Sequence, residues 1–233
     1  MKDELLLVWR RPKNEQGNRR RYVVGRLSRI EEAGVEKFKF CYGDDFGLAK
    51  EEGLELFPGF GEPEKVYESD NLFVNVLARL PRTDRSDYLD ILNLYGLNKG
   101  TSDWELLKAT KGRLLTDNFE FVPAFDSSKI EFDVAGIRHR KTSLKQLEKY
   151  LKVDAKVLLE VEPDNEFDSN AIKVVLPIGD ERCHIGYVPR YYSRELVQYA
   201  RNVANYSALV SKVNIDAKND DDQLAVKVRL LLD

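Results

Sequence analysis

The stretch Glu162-Pro163-Asp164-Asn165-Glu166-Phe167-Asp168-Ser169-Asn170-Ala171-Ile172-Lys173-Val174 decides how the second half of the chain is read. Its opening part, Glu162 to Asn170, is acidic and rich in Pro, Asn, Asp and Ser, the residues that close turns with their own side chains. β-prone runs flank it, Lys156 to Val161 and Ala171 to Leu176, so the segment joins two strands. Beyond it, Gly179-Asp180 marks a tight turn into a strand over Cys183 to Val188, and Arg194 to Val203 has helical character. Ser207 to Ile215 and Gln223 to Leu232 read as two final strands around a polar loop, with Asp220-Asp221-Asp222 as a solvated tip. Upstream, Ile130 to Ile137 reads as a strand. Ser143 to Leu151 reads as a helix with Ser143 and Gln146 as a capping box and Leu144, Leu147, Tyr150 and Leu151 inward. Five or six strands with one or two helices predict a small β-barrel.

The first half is organised differently. Leu5 to Trp9 and Tyr22 to Leu27 are β-prone and flank a basic loop, and Glu36 to Tyr42 completes a small sheet. Asp84 to Leu94 places Tyr88, Leu89, Ile91, Leu92 and Tyr95 on one helical face that stops at Gly96. A second helix starts at Ser102, whose pairing with Glu105 is a capping box, and ends near Gly112. The short polar stretch Ala124 to Lys129 is the expected boundary. The predicted class is therefore α+β with two domains, 1–126 and 127–233.

A length of 233 residues is sufficient for two self-supporting cores, and 42% apolar with 33% charged residues is ordinary for a globular chain. The longest apolar runs, Leu5 to Trp9 and Leu230 to Leu232, are far shorter than the roughly 20 residues that span a bilayer. Asp3 and Glu4 precede the first run and Arg10 and Arg11 follow it, the reverse of a secretory signal, so a cytoplasmic location is expected. Cys41 and Cys183 are too few for a disulfide framework and read as buried small residues. The net charge of −3 conceals basic patches: residues 1–29 hold nine Lys/Arg against three Asp/Glu, and residues 136–156 hold seven against two. At a Debye length of about 10 Å it is the patches that a polyanion meets.

Nothing in the motifs points to catalysis. His139 and His184 are the two histidines, and no nucleophile elbow, Walker loop or kinase signature accompanies them. Gly59-Phe60-Gly61 lacks the third glycine of a phosphate loop and reads as a turn. Pro163-Asp164 opens a Mg²⁺-nuclease pattern, but Ala171-Ile172-Lys173 lacks the acidic ligand that would share the metal with Asp164, and Asp216-Ala217-Lys218 lies far off in the polar loop. No cofactor, no metal and no enzymatic activity are expected.

Three segments carry a positive signal: Val134-Ala135-Gly136-Ile137-Arg138, the stretch Glu162 to Val174, and His184-Ile185-Gly186-Tyr187-Val188-Pro189. Together they resemble the HIRAN domain, over residues of about 130–233. The resemblance implies an OB- or SH3-like barrel that binds single-stranded DNA at a free 3′ end, in DNA repair, replication or defence against mobile DNA. On it, Asp168 matches the carboxylate that accepts the 3′-hydroxyl, Arg138 the residue that meets the terminal phosphates, and Phe167 a stacking face. His139, Arg140 and Lys141 begin the basic stretch that would track the backbone. His139 and Tyr187 depart from the best-known animal pattern, which has an aromatic and a histidine there. Each residue also has a plainer reading: Phe167 as core, Asp168 as a turn-former bonded to the backbone, Arg138 as a surface ion-pair donor.

The amino-terminal half, through Gly25-Arg26-Leu27, Phe73 to Tyr88 with Leu80-Pro81 and Arg85, and the helix at Ser102, resembles loosely the amino-terminal subdomain of HipA-type toxin kinases over about residues 4–123. That resemblance implies a docking or regulatory element acting on a separately encoded kinase, and a protein partner.

Overall fold

The structure, a computed structural model, describes residues 2–12, 20–32, 34–128, 130–137, 147–214 and 225–232. It divides into two compact units, Met1–Ala124 and Phe125–Asp233.

The amino-terminal unit is built on an antiparallel sheet of order β4-β3-β2-β1-β5, with β1 Lys2–Arg10, β2 Arg21–Glu32, β3 Val35–Tyr42, β4 Tyr67–Ser69 and β5 Phe119–Pro123. Leu5, Leu7 and Trp9 alternate along β1 and enter one core with Tyr22, Val24 and Leu27 of β2, as the period of two in a pleated strand requires. Aromatic rings fill the middle: Phe40 stacks on Phe60 at 4.0 Å between centroids, and Phe57 meets Phe119 and Phe121 edge-on. A Cβ at Gly25 would stand 2.9 Å from both the Cys41 carbonyl and the Phe40 ring, so only glycine lets that ring lie across β2.

Four short helices cover this sheet: α1 Phe46–Glu51, α2 Val74–Leu77, α3 Tyr88–Leu94 and α4 Asp103–Thr110. Ser102 caps α4, its hydroxyl accepting the Glu105 N–H at 3.3 Å, and Lys111 ends it in the left-handed region. The helix expected over Asp84 to Leu94 is shorter, and its apolar face does not pack as a whole. Only Leu92 is buried, while Leu89, Leu94 and Tyr95 are exposed, because a seven-residue helix has room to seat one turn. Arg79 is buried and binds Asp117 through both terminal nitrogens at 2.7 and 2.8 Å, while also donating to the Gly112 and Phe119 carbonyls. The basic cluster seen in the sequence is largely neutralised among the described residues. Arg11 pairs with Glu52, Arg21 with Glu120, Arg26 with Glu4 and Asp44, and Arg29 with Asp3 and Glu36. Cys41 is half-buried rather than buried.

The carboxyl-terminal unit has two antiparallel three-stranded sheets. One has the order β10-β11-β6, from β6 Ile130–Asp133, β10 Tyr206–Asn214 and β11 Ala225–Leu232. The other has the order β7-β8-β9, from β7 Leu158–Val161, β8 Ile172–Ile178 and β9 Glu181–Tyr187. Isolated bridges join them at both seams, Ala135 to Tyr187 and Lys156 to Leu209. Among the described residues no continuous ladder closes the expected barrel; two sheets joined by these bridges enclose one core of Phe132, Leu159, Val174, Ile185, Val210 and Val228, among others. Gly186 makes one stitch feasible: at φ +151°, a Cβ there would lie 2.6 Å from the Ala135 carbonyl and 2.5 Å from Val134 Cγ1.

Helix α5, Arg190–Ala200, begins four residues before the expected start, because Pro189 in extended conformation caps it and hands the chain straight from β9. It buries Tyr192, Ser193, Leu196 and Ala200. Of the helix expected over Ser143 to Leu151, residues 143–146 lie outside the described residues. Leu147 and Leu151 are buried as expected, whereas Tyr150 is 43% exposed, its ring covered on one side by the Lys149 ammonium at 5.3 Å. The Asp220-Asp221-Asp222 tip also lies outside the described residues. Among the described residues, no helix is long and apolar enough to cross a membrane.

Candidate nucleic-acid interface

The turn between β7 and β8 is folded by its own side chains. Asn165 Oδ1 accepts the N–H groups of Phe167 at 3.0 Å and Asp168 at 3.1 Å, and Asp168 Oδ1 accepts the N–H of Asn170 at 2.9 Å. These are consecutive Asx turns, in which a short polar side chain satisfies backbone donors that no strand partner reaches. Ala171 N–H to the Asp168 carbonyl and Glu162 N–H to the Ala171 carbonyl, at 2.9 and 2.8 Å, close the base. Buried Ile172 and Val174 then anchor β8, leaving Lys173 on the opposite face.

Phe167 stands on this turn 63% exposed, so the core reading of it is wrong and its ring is open to a planar partner. Asp168 is half-buried beside it. Asp168 Oδ2 lies 2.8 Å from Ser193 Oγ, which is also 2.9 Å from the Arg190 carbonyl. A carboxylate oxygen is a stronger acceptor than a carbonyl for the single hydroxyl proton. Asp168 is therefore the turn-former that its plainer reading expects. Each carboxylate oxygen nonetheless has a second lone pair, and one donor apiece leaves acceptor capacity on both. Arg190 Nη1 is 3.4 Å from the Phe167 carbonyl, which puts a guanidinium at the backbone of the tip.

Glu162 ties the turn to the strands behind it. Its Oε2 accepts from Asn165 Nδ2 at 2.8 Å and from the Tyr187 hydroxyl at 3.0 Å, while its Oε1 pairs with Lys173 Nζ at 2.5 Å. Partial burial works against its ionisation, but these three donors outweigh it and hold the carboxyl below the usual range. Burial first, then the Glu162 bond and charge, push the Tyr187 phenol up to about 12, so at neutral pH it is the donor. The His184 ring meets Tyr187 edge-on at 4.7 Å, and its buried Nε2 has no hydrogen-bond partner among the described residues. Burial, opposed by a bond to the Gly186 backbone, lowers its pKa and keeps the imidazole neutral at pH 7.

The structure thus brings Phe167, Asp168 and Tyr187 onto one hydrogen-bonded assembly. Arg138, His139, Arg140 and Lys141 lie outside the described residues. The sequence reading passed over Glu162, Asn165, Arg190 and Ser193. Asn165 carried a usable signal, since an Asn two and three residues before exposed backbone donors is a turn former. Ser193 carried none, because only the packing of α5 brings it to Asp168. Among the described residues, no three His, Cys, Asp or Glu side chains converge to hold a metal ion.

A β-rich module with an exposed aromatic and an oriented carboxylate on one turn has the parts of a nucleic-acid-binding domain. Residues 127–232, within the carboxyl-terminal unit, match the HIRAN domain family, and the match supports a DNA-binding module there. The amino-terminal unit lies outside that match. The crystal structure of the HIRAN domain of human HLTF is similar at 17% identity, covering 44% of this chain and 73% of that one, with a TM-score of 0.32. No curated protein matches the chain.

Proposed function

We propose that this protein binds single-stranded DNA at free 3′ ends without acting on it chemically. The observation that supports this most directly is the pairing of an exposed Phe167 with a Ser193-oriented Asp168 on one turn. In this reading the Phe167 ring stacks on the terminal base, a contact worth roughly 1–3 kcal/mol in single-strand binders. The Asp168 carboxylate accepts the 3′-hydroxyl proton and repels a 3′-phosphate, which has no such proton and carries negative charge. Arg190 meets a phosphate nearby. Arg138, His139, Arg140 and Lys141 supply the basic track, which makes binding salt-dependent. Free 3′ ends arise in repair, in replication and during attack on mobile DNA, and we place the function in that setting.

Fluorescence anisotropy on single strands ending in a 3′-hydroxyl, a 3′-phosphate or no end at all tests the reading. The 3′-hydroxyl strand is expected to bind tightest, and Asp168→Ala to erase its advantage. Equal binding to all three, unaffected by Asp168→Ala, refutes end recognition.

A second reading concerns the amino-terminal unit, which leaves Leu89 and Leu94 of α3, and Tyr95 after it, exposed. In it, this unit docks a separately encoded HipA-type kinase, and mixing the purified kinase with this protein in a sizing experiment tests it.

A further inference from the structure

Tyr187 has two ways to serve the interface. Its ring could lie against DNA, or its hydroxyl could act inside the protein. The geometry favours the second. The ring is half-buried and edge-on to His184, and the hydroxyl donates to Glu162 Oε2. The same carboxylate oxygen accepts from Asn165 Nδ2, whose partner atom Oδ1 in turn holds the amides of Phe167 and Asp168. A continuous path therefore runs from β9 through Glu162 to the two residues at the tip. Lys173 holds the other oxygen of Glu162 from β8, opposite Tyr187 in the strand register, so the carboxylate is fixed from two strands at once.

We propose that Tyr187, Glu162 and Asn165 form a positioning relay that sets the placement of Phe167 and Asp168, and that Tyr187 acts through its hydroxyl rather than as a DNA-stacking ring. The role of this relay in DNA recognition rests on the 3′-end reading above. The relay itself is a property of the free protein and can be measured there. Ionised Glu162 is the centre because it accepts from both the turn and β9. An amide at that position that kept its oxygen toward both of them would turn its own donor toward Lys173, donor against donor. Asn165 is the output because its side-chain oxygen holds two consecutive amides, and a rotation of that side chain would release both together.

Two substitutions in the full-length protein separate the alternatives. Tyr187→Phe keeps the ring and removes the hydroxyl, and Glu162→Gln keeps the shape and removes the charge. In the free protein, each is expected to speed hydrogen exchange at the Phe167 and Asp168 amides while exchange in β10 and β11 stays at the parent rate. On DNA, each is expected to lower the preference for a 3′-hydroxyl over a 3′-phosphate by about threefold to tenfold. The double variant should lose no more than the worse single variant, because the path is broken once. Parent-like exchange at both amides in Tyr187→Phe overturns the relay, and so does a double variant whose losses multiply. Faster exchange with an unchanged end preference overturns its role in recognition. If the parent protein shows no end preference at all, the 3′-end reading fails while the exchange rates still decide the relay.

Discussion

Ser193 Oγ sits 2.8 Å from Asp168 Oδ2, so the first turn of α5 fixes the orientation of a carboxylate carried on a different element, the turn between β7 and β8. Ser193 is 1% exposed and itself cannot move without disturbing the helix packing. Ser193→Ala removes the donor and frees Asp168 to rotate. The expected result is a loss of 3′-hydroxyl preference of about fivefold, the worth of one hydrogen bond near 1 kcal/mol. Anisotropy titrations with both end chemistries measure it, and an unchanged preference refutes the orienting role.

Phe167 makes the complementary case. At 63% exposure its truncation to Ala removes little buried surface, so thermal stability should stay within about 0.5 kcal/mol of the parent. Affinity for single strands should fall by about tenfold through loss of stacking. A large loss of stability with parent-like binding reverses the assignment and makes the ring a packing residue.

Gly186→Ala places a methyl against the Ala135 carbonyl and Val134, in a backbone conformation that suits only glycine. The bridge between Ala135 and Tyr187, two hydrogen bonds of 2.8 Å each, must open or shift. A cost of about 1–3 kcal/mol is expected, as for other overpacked sites. Hydrogen exchange at the Ala135 and Tyr187 amides reads it locally, and parent-like protection there contradicts the clash.

In the amino-terminal unit, Arg79→Met leaves Asp117 without its bidentate partner and frees two carbonyls, at an expected cost of about 3 kcal/mol. Both tryptophans, Trp9 and Trp104, are buried in this unit, so urea unfolding followed by tryptophan fluorescence reports it selectively. An undisturbed midpoint refutes a stabilising role for the pair.

The same unit should weaken in acid. Burial opposes ionisation of Asp117 and Glu120, but Arg79 with the Phe119 N–H, and Arg113 with Arg21 and Lys111, outweigh it and depress both pKa values. A group depressed on folding contributes its full stabilisation above its unfolded value, about 4 for carboxylates, and loses it as pH falls through the folded value. Tryptophan-monitored stability should therefore be level near neutrality and decline below about pH 4. Glu120→Gln should make that decline shallower. An identical acid slope in the variant removes Glu120 from the account.

Much of this fold is legible in the sequence where local pattern and tertiary need agree. The strands over Leu5 to Trp9, Ala171 to Leu176 and Cys183 to Val188 appear at their expected places because apolar alternation and flanking turns point the same way. The β5 strand is not legible. Glu120 interrupts its apolar pattern, and cations brought in by the fold, Arg113, Arg21 and Lys111, make its burial tolerable. Tyr150, Leu89 of α3 and Tyr95 just after it err in the other direction, since helical spacing can predict a face but not whether anything lies opposite it.

The candidate interface divides along the same line. Asn165 and Asp168 bond to amides two or three residues ahead, so the sequence by itself determined that Glu162 to Asn170 would be a side-chain-closed turn with Phe167 and Asp168 near its tip. The bonds that orient this tip come from Tyr187 and Ser193, each 25 residues from its partner. Those contacts exist because β9 pairs with β8 and α5 then folds back on the turn. Only the tertiary structure decided that Phe167 faces outward, that Ser193 meets Asp168, and that the Tyr187 hydroxyl bonds to Glu162. Short-range hydrogen bonds are set by residue type and spacing, whereas long-range ones depend on strand register and helix docking, which the cooperative packing of the whole core fixes.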